Sequence, residues 1–102
     1  MSIKTIEAKE VERLLESGNP LNIIDVREND EVSQGMIPTA THIPLGEIPN
    51  RIHDLDSNKE YVLVCRSGKR SEKACTILAS NQFAVVNMLG GMLSWNGKTT
   101  NK

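Results

Sequence analysis

"VLVCRSGKRSEKA", residues 62–74, is the stretch on which the reading of this chain turns. Three apolar residues lead into Cys65, and Arg66, Ser67, Gly68, Lys69 and Arg70 follow. With Tyr61, the apolar run forms a five-residue segment, 61–65, of the kind buried on both faces of a parallel sheet. From residue 70 to 80 the spacing predicts a helix with Ala74, Ile77 and Leu78 on one side. Strand, turn and helix in that order put Cys65 at the carboxyl end of a central strand. Ligands of α/β sheets bind at that edge.

Similar units lie on either side. Residues 2–6, "SIKTI", alternate as a short strand, and residues 8–17 read as an amphipathic helix with Val11, Leu14 and Leu15 on one face. Gly18, Asn19 and Pro20 end it. "LNIIDV", residues 21–26, is a second buried strand, followed by a helical turn at 28–34. Pro38 and Pro44 exclude a long helix over 35–45, leaving a short strand at 40–43. A short helix is expected within 46–55, started near Pro49. "FAVVNML", residues 83–89, is a last strand, broken by Gly90 and Gly91 ahead of a turn at "MLSWN". Strands alternating with helices predict an α/β fold with a mainly parallel sheet.

The 102 residues, 38% of them hydrophobic, suit one domain over 1–96 with a polar tail at 97–102 that is expected to fray. A net charge of -1 argues against a dedicated nucleic-acid binder or a polybasic membrane binder. The charge is unevenly placed. Residues 1–34 carry eight acids and four bases, and residues 35–102 carry five acids and eight bases. Arg66, Lys69, Arg70 and Lys73 crowd one cysteine against a single acid, Glu72. No apolar run is long enough to span a membrane, and no apolar leader opens the chain. Two cysteines without such a leader point to free thiols in a reducing compartment, hence the cytoplasm.

The reactive form of cysteine is the thiolate, whose unperturbed pKa is about 8.5. A turn into a helix N-terminus, with Gly68 allowing N–H groups to converge and Arg66, Lys69 and Arg70 adding charge, would stabilise an anion at the Cys65 sulfur. Ser71 can cap the helix or donate inward. The plainer alternative makes Cys65 a buried strand residue with solvated basic neighbours. Cys75 is expected to pack in the helix, its alternative being a resolving thiol for Cys65. Protein tyrosine phosphatases place five residues between cysteine and arginine, whereas Cys65 and Arg70 are separated by four. The tighter cradle has less room for a tetrahedral phosphate and still admits sulfur. His42, His53, Cys65 and Cys75 lack zinc-ligand spacing, and no metal is expected.

Four segments in order resemble the rhodanese-homology family in its single-domain sulfurtransferase form, over roughly Ile3 to Trp95. They are "IIDVRE" (23–28), "EVSQGMIPTATHIP" (31–44), "VCRSGKRSEKAC" (64–75) and "VVNMLGGMLSW" (85–95). Met36, Thr39 and His42 depart from the family's histidine, glycine and asparagine, and Gln82 from its glycine before Phe83.

The resemblance implies a rhodanese-like α/β fold: a central, mainly parallel five-stranded sheet flanked by helices on both faces. It also implies a thiosulfate sulfurtransferase chemistry. Cys65 would take the outer sulfur of thiosulfate or another small anionic donor as a persulfide, then yield it to cyanide, a thiol or a protein acceptor. Arg66, Ser67, Gly68, Lys69, Arg70 and Ser71 would bind the substrate. No cofactor is implied. Asp25 and Arg27 are expected to brace the strand end, with anion binding by Arg27 as the alternative. Trp95, His42 and His53 are expected to pack or face solvent. The alternative functions are a persulfide carrier with little free turnover, a phosphatase or arsenate reductase, and a sensor pairing Cys65 with Cys75.

Overall fold

The computed structural model describes residues 3–101; Met1, Ser2 and Lys102 lie outside them, Ser2 belonging to the strand expected at 2–6 and Lys102 to the tail expected at 97–102. Five strands run β1 (Lys4–Glu7), β2 (Asn22–Asp25), β3 (Thr41–His42), β4 (Glu60–Val64) and β5 (Ala84–Leu89). The helices are α1 (Ala8–Glu16), α2 (Asn29–Val32), α3 (Ile48–Arg51) and α4 (Lys69–Ser80). The strands form one sheet in the order β1-β5-β4-β2-β3, with all four pairings parallel. β4 is central, as its dense apolar run predicts.

Alternation along the strands divides the core in two. Tyr61, Leu63 and Cys65 face a cluster with Ala74, Cys75 and Leu78 of α4 and Ile48 of α3. Val62 and Val64 face the opposite cluster with Ala8 and Val11 of α1 and with Ile37. Helices therefore cover both faces, which explains why β2 and β4 carry runs of apolar residues rather than a strict alternation with polar ones.

The short helix expected near Pro49 is present as α3, with 3-10 turns on either side at Leu45–Glu47 and Ile52–Asp54. One sequence expectation is corrected. The expected fraying after Trp95 does not hold for the described tail. Thr100 pairs antiparallel with Met36 through two 2.8 Å backbone bonds. The Trp95 indole N–H donates to the Lys98 carbonyl, and the Asn96 N–H donates to Glu12. A polar tail has little to bury, but its backbone can pair with an otherwise open edge.

Gln82 occupies a left-handed conformation, φ 73°, just beyond α4. The Phe83 N–H bonds the Leu78 carbonyl and the Gln82 N–H that of Ala79. This is the helix-ending pattern that favours glycine at Gln82's position. Gln82→Gly is expected to raise stability by roughly 0.5–1 kcal/mol, the strain relieved exceeding the added chain entropy. Urea denaturation checks this, and a loss of stability would refute it.

Candidate active site

The carboxyl edge of the sheet gathers the segments that follow β2, β4 and β5. Cys65 follows β4 directly and is completely buried, packed in the cluster beneath α4. Arg66, Ser67 and Lys69 are exposed and Gly68 half-buried. Gly68, with φ 100°, turns the chain into α4, which begins one residue earlier than the spacing predicts. The turn aims the Gly68 N–H at the Cys65 Sγ, 3.0 Å away. Ser71 is buried and its hydroxyl lies 3.4 Å from the same sulfur. It donates inward and makes no cap.

The thiol's ionisation follows from these contacts. Burial raises the Cys65 pKa, but the Ser71 hydroxyl and the backbone N–H groups of Ser71, Gly68 and Ser67 outweigh it, so the thiol lies below its ordinary value. Neutral dipoles achieve this. They are oriented before any charge forms and need no counter-ion. The guanidinium groups take a smaller part than their number in the sequence suggests.

Arg70 accounts for much of that difference. Its Nη1 and Nη2 each lie 2.7 Å from a carboxylate oxygen of Glu31 in α2. The pair is bidentate and partly buried. Arg70 holds the Glu31 carboxyl well below the usual range, at about 2. Arg70 therefore clasps the loop to α2 and still acts electrostatically on Cys65. Arg66 instead borders a cleft of about 320 Å³ together with Gln34, Gly35, Leu93 and Thr99.

Asp25 and Arg27 sit at the end of β2, both buried. Arg27 Nε and Nη2 donate to the Asp25 carboxylate at 2.9–3.1 Å, and Nη2 also donates to the Gly35 carbonyl at 2.8 Å. The His42 ring nitrogen lies 2.7 Å from the Arg27 carbonyl oxygen. These contacts are those of a brace between three segments. Asp25→Ala would leave a buried guanidinium without its counter-charge and is expected to cost about 3–5 kcal/mol. A loss under ~1 kcal/mol in chemical denaturation would show that the pair does not carry the brace.

Two contributors escape the sequence reading. Asn87, in β5 and 3% exposed, accepts the Ser71 hydroxyl and donates through Nδ2 to the Gly68 carbonyl at 3.0 Å. Its only sequence signal is one amide inside an apolar strand. Gly91 is the second. The Met92 and Leu93 N–H groups donate to the carbonyls of Cys65 and Arg66 at 2.8 and 3.0 Å. The double-glycine turn thus grips the loop by its backbone. Cys75 packs in the core as predicted, fully buried. Burial, with Glu72 nearby, pushes its thiol up to about 12. Among the described residues, no group of three or more metal-ligating side chains converges.

The profile of the rhodanese-like domain matches residues 7–98. The chain belongs to this family. A Bacillus subtilis relative named "Putative sulfurtransferase YtwF" is 46% identical over 102 residues, covering 100% of this chain and 99% of the relative. A "Sulfurtransferase" from Allochromatium vinosum is 32% identical over 94 residues, covering 91% of this chain and 88% of its own. The crystal structure of a rhodanese-like domain protein from Staphylococcus aureus superposes with a TM-score of 0.92 at 35% identity, covering 98% of this chain and 99% of that one. The parallel five-stranded sheet with helices on both faces is thus the rhodanese fold, with the cysteine loop on the central strand's carboxyl end. No described helix is long and apolar enough to cross a membrane.

Proposed function

We propose that this rhodanese-like chain transfers sulfane sulfur through a persulfide on Cys65, with thiosulfate or a chemically similar anion as donor and cyanide, a small thiol or a protein thiol as acceptor. The observation that carries this reading is the convergence of N–H and O–H donors on the Cys65 sulfur. The names of its relatives, sulfurtransferase among them, support the same chemistry.

In the first half-reaction the Cys65 thiolate attacks the outer sulfur of thiosulfate. The new S–S bond forms as the donor's S–S bond breaks, and sulfite leaves with that bond's electron pair. The product is a persulfide whose terminal sulfur carries the negative charge. The N–H groups of Ser67, Gly68 and Ser71 serve that anion as they serve the thiolate. In the second half-reaction cyanide or a thiolate attacks the terminal sulfur, and Cys65 departs as thiolate. Two half-reactions sharing one covalent intermediate predict ping-pong kinetics.

Arg66 and Lys69, exposed on the loop, are the cations available to attract the donor's sulfonate end. Arg70 supports the loop through Glu31 and acts at longer range. The reaction needs no cofactor, and a reducing cytoplasm would keep Cys65 free between turnovers.

The test incubates reduced protein with thiosulfate and reads intact mass, then thiocyanate released by cyanide. Gain of one sulfur per chain, lost on cyanide addition, is the expected result. No sulfur gain together with rapid aryl-phosphate hydrolysis would overturn the reading in favour of a phosphatase. Stable loading with negligible cyanide turnover but transfer to a protein thiol would mark a persulfide carrier.

A further inference from the structure

Ser71 has one hydroxyl proton and two acceptors within reach. One is Cys65 Sγ at 3.4 Å; the other is Asn87 Oδ1, closer still. The orientation of the Asn87 amide is fixed by its second bond, since Nδ2 donates to the Gly68 carbonyl at 3.0 Å. The atom turned toward Ser71 is therefore the amide oxygen, which only accepts. Ser71 and Asn87 are both buried, so water does not compensate a lost bond there.

The bonding differs between the two states of the sulfur. With Cys65 as a thiol, its S–H can donate to Ser71 Oγ while Ser71 donates to Asn87, and every group is satisfied. A thiolate only accepts. The negative sulfur then draws the Ser71 proton, and each turn of that proton toward it takes the donor from Asn87 Oδ1. The amide and the thiolate compete for one proton.

We propose that Asn87 is a positioning residue that sets the ionisation of Cys65 through Ser71: it holds the Ser71 proton away from the sulfur in the resting thiol and gives it up when the thiolate forms. The loop N–H groups pull toward the thiolate, and Asn87 pulls back. In a persulfide the charge lies on the outer sulfur, so the Ser71 proton is free to return to Asn87. That last consequence rests on the sulfur-transfer reading; the competition for the proton does not.

The test measures the ultraviolet thiolate absorbance against pH in the wild type, Asn87→Leu, Ser71→Ala and the double variant. Burial pushes the Cys75 thiol up to about 12, so it adds little thiolate in the range where Cys65 titrates. Ser71→Ala should raise the Cys65 midpoint. Asn87→Leu should lower it, giving about three-fold more thiolate at a pH below the midpoint for a half-unit shift. In the Ser71→Ala background, Asn87→Leu should produce no lowering, a non-additivity that isolates the pair.

If Asn87 serves only to anchor the loop through Gly68, its loss loosens the cradle and raises the midpoint in both backgrounds. That result, or an equal shift in both, overturns the proposal. Circular dichroism checks folding, and Asn87→Ala replaces Asn87→Leu if the latter does not fold. No sulfur donor enters the measurement. A chain with this coupling that does not load sulfur would refute the function and leave the role of Asn87 standing.

Discussion

Cys65→Ser is expected to abolish sulfur loading from thiosulfate, while Cys75→Ala loads one sulfur per chain as the wild type does. The serine oxygen fits the same cradle and can receive the Gly68 N–H, so the fold should persist. An alcohol, however, is essentially never ionised near neutrality and forms no persulfide. Both cysteines are fully buried, but Cys65 has N–H and O–H donors converging on its sulfur. Cys75 lies inside α4 with Ala74 and Leu78 around it. Its thiol is pushed up to about 12, so it supplies almost no thiolate. Mass spectrometry separates the cases directly. Loading that survives Cys65→Ser and vanishes with Cys75→Ala would reverse the assignment. A disulfide between the two cysteines under mild oxidant would instead favour a redox sensor.

Gly91→Ala is expected to destabilise the protein by about 2–5 kcal/mol and to depress sulfur loading in whatever folded protein remains. Two effects combine. Gly91 has φ 55°, where a side chain costs roughly 1–2 kcal/mol. A Cβ there would also stand 2.4 Å from the Cys65 carbonyl oxygen and 2.5 Å from that of Arg66. Those atoms are backbone and cannot rotate away, and overpacking of this kind costs typically 1–3 kcal/mol more. Relief requires the turn and the cysteine loop to part, breaking the Met92 and Leu93 bonds that hold it. Denaturant titration measures the stability, and sulfur loading of the folded fraction measures the loop. A variant as stable and as active as the wild type would show that the grip is dispensable. Gly18 offers a control: its φ is also positive, but a Cβ would meet nothing within 4 Å.

The cysteine loop was legible because its signals are local: an apolar run, a glycine and a helix-compatible stretch within about a dozen residues. The same holds for β4, α4 and the packing of Cys75. What lay beyond sequence reading depends on pairings across the sheet. Glu31 and Arg70 are 39 residues apart and meet only because β2 and β4 are neighbours. Their ion pair explains why a count of positive charges around Cys65 overstated its share in stabilising the sulfur. Asn87 reaches Gly68 and Ser71 because β5 flanks β4 in register, and nothing in "FAVVNML" states that register. The tail looked idle because hydropathy does not register a backbone edge waiting to be paired.

The parallel sheet also divides labour between its two rims. Because every strand points the same way, Arg27, Cys65 and the double-glycine turn all emerge at one rim. The turns near Gly18, at residues 56–59 and near Gln82 lead into β2, β4 and β5 from the other. Residues 57–60 are exposed and Gly18 has open space around it. A tether, dye or solid support attached at that far rim would leave the cysteine loop facing outward. The molecule thus has a handle and a working end, and an engineer could hold the one without touching the other.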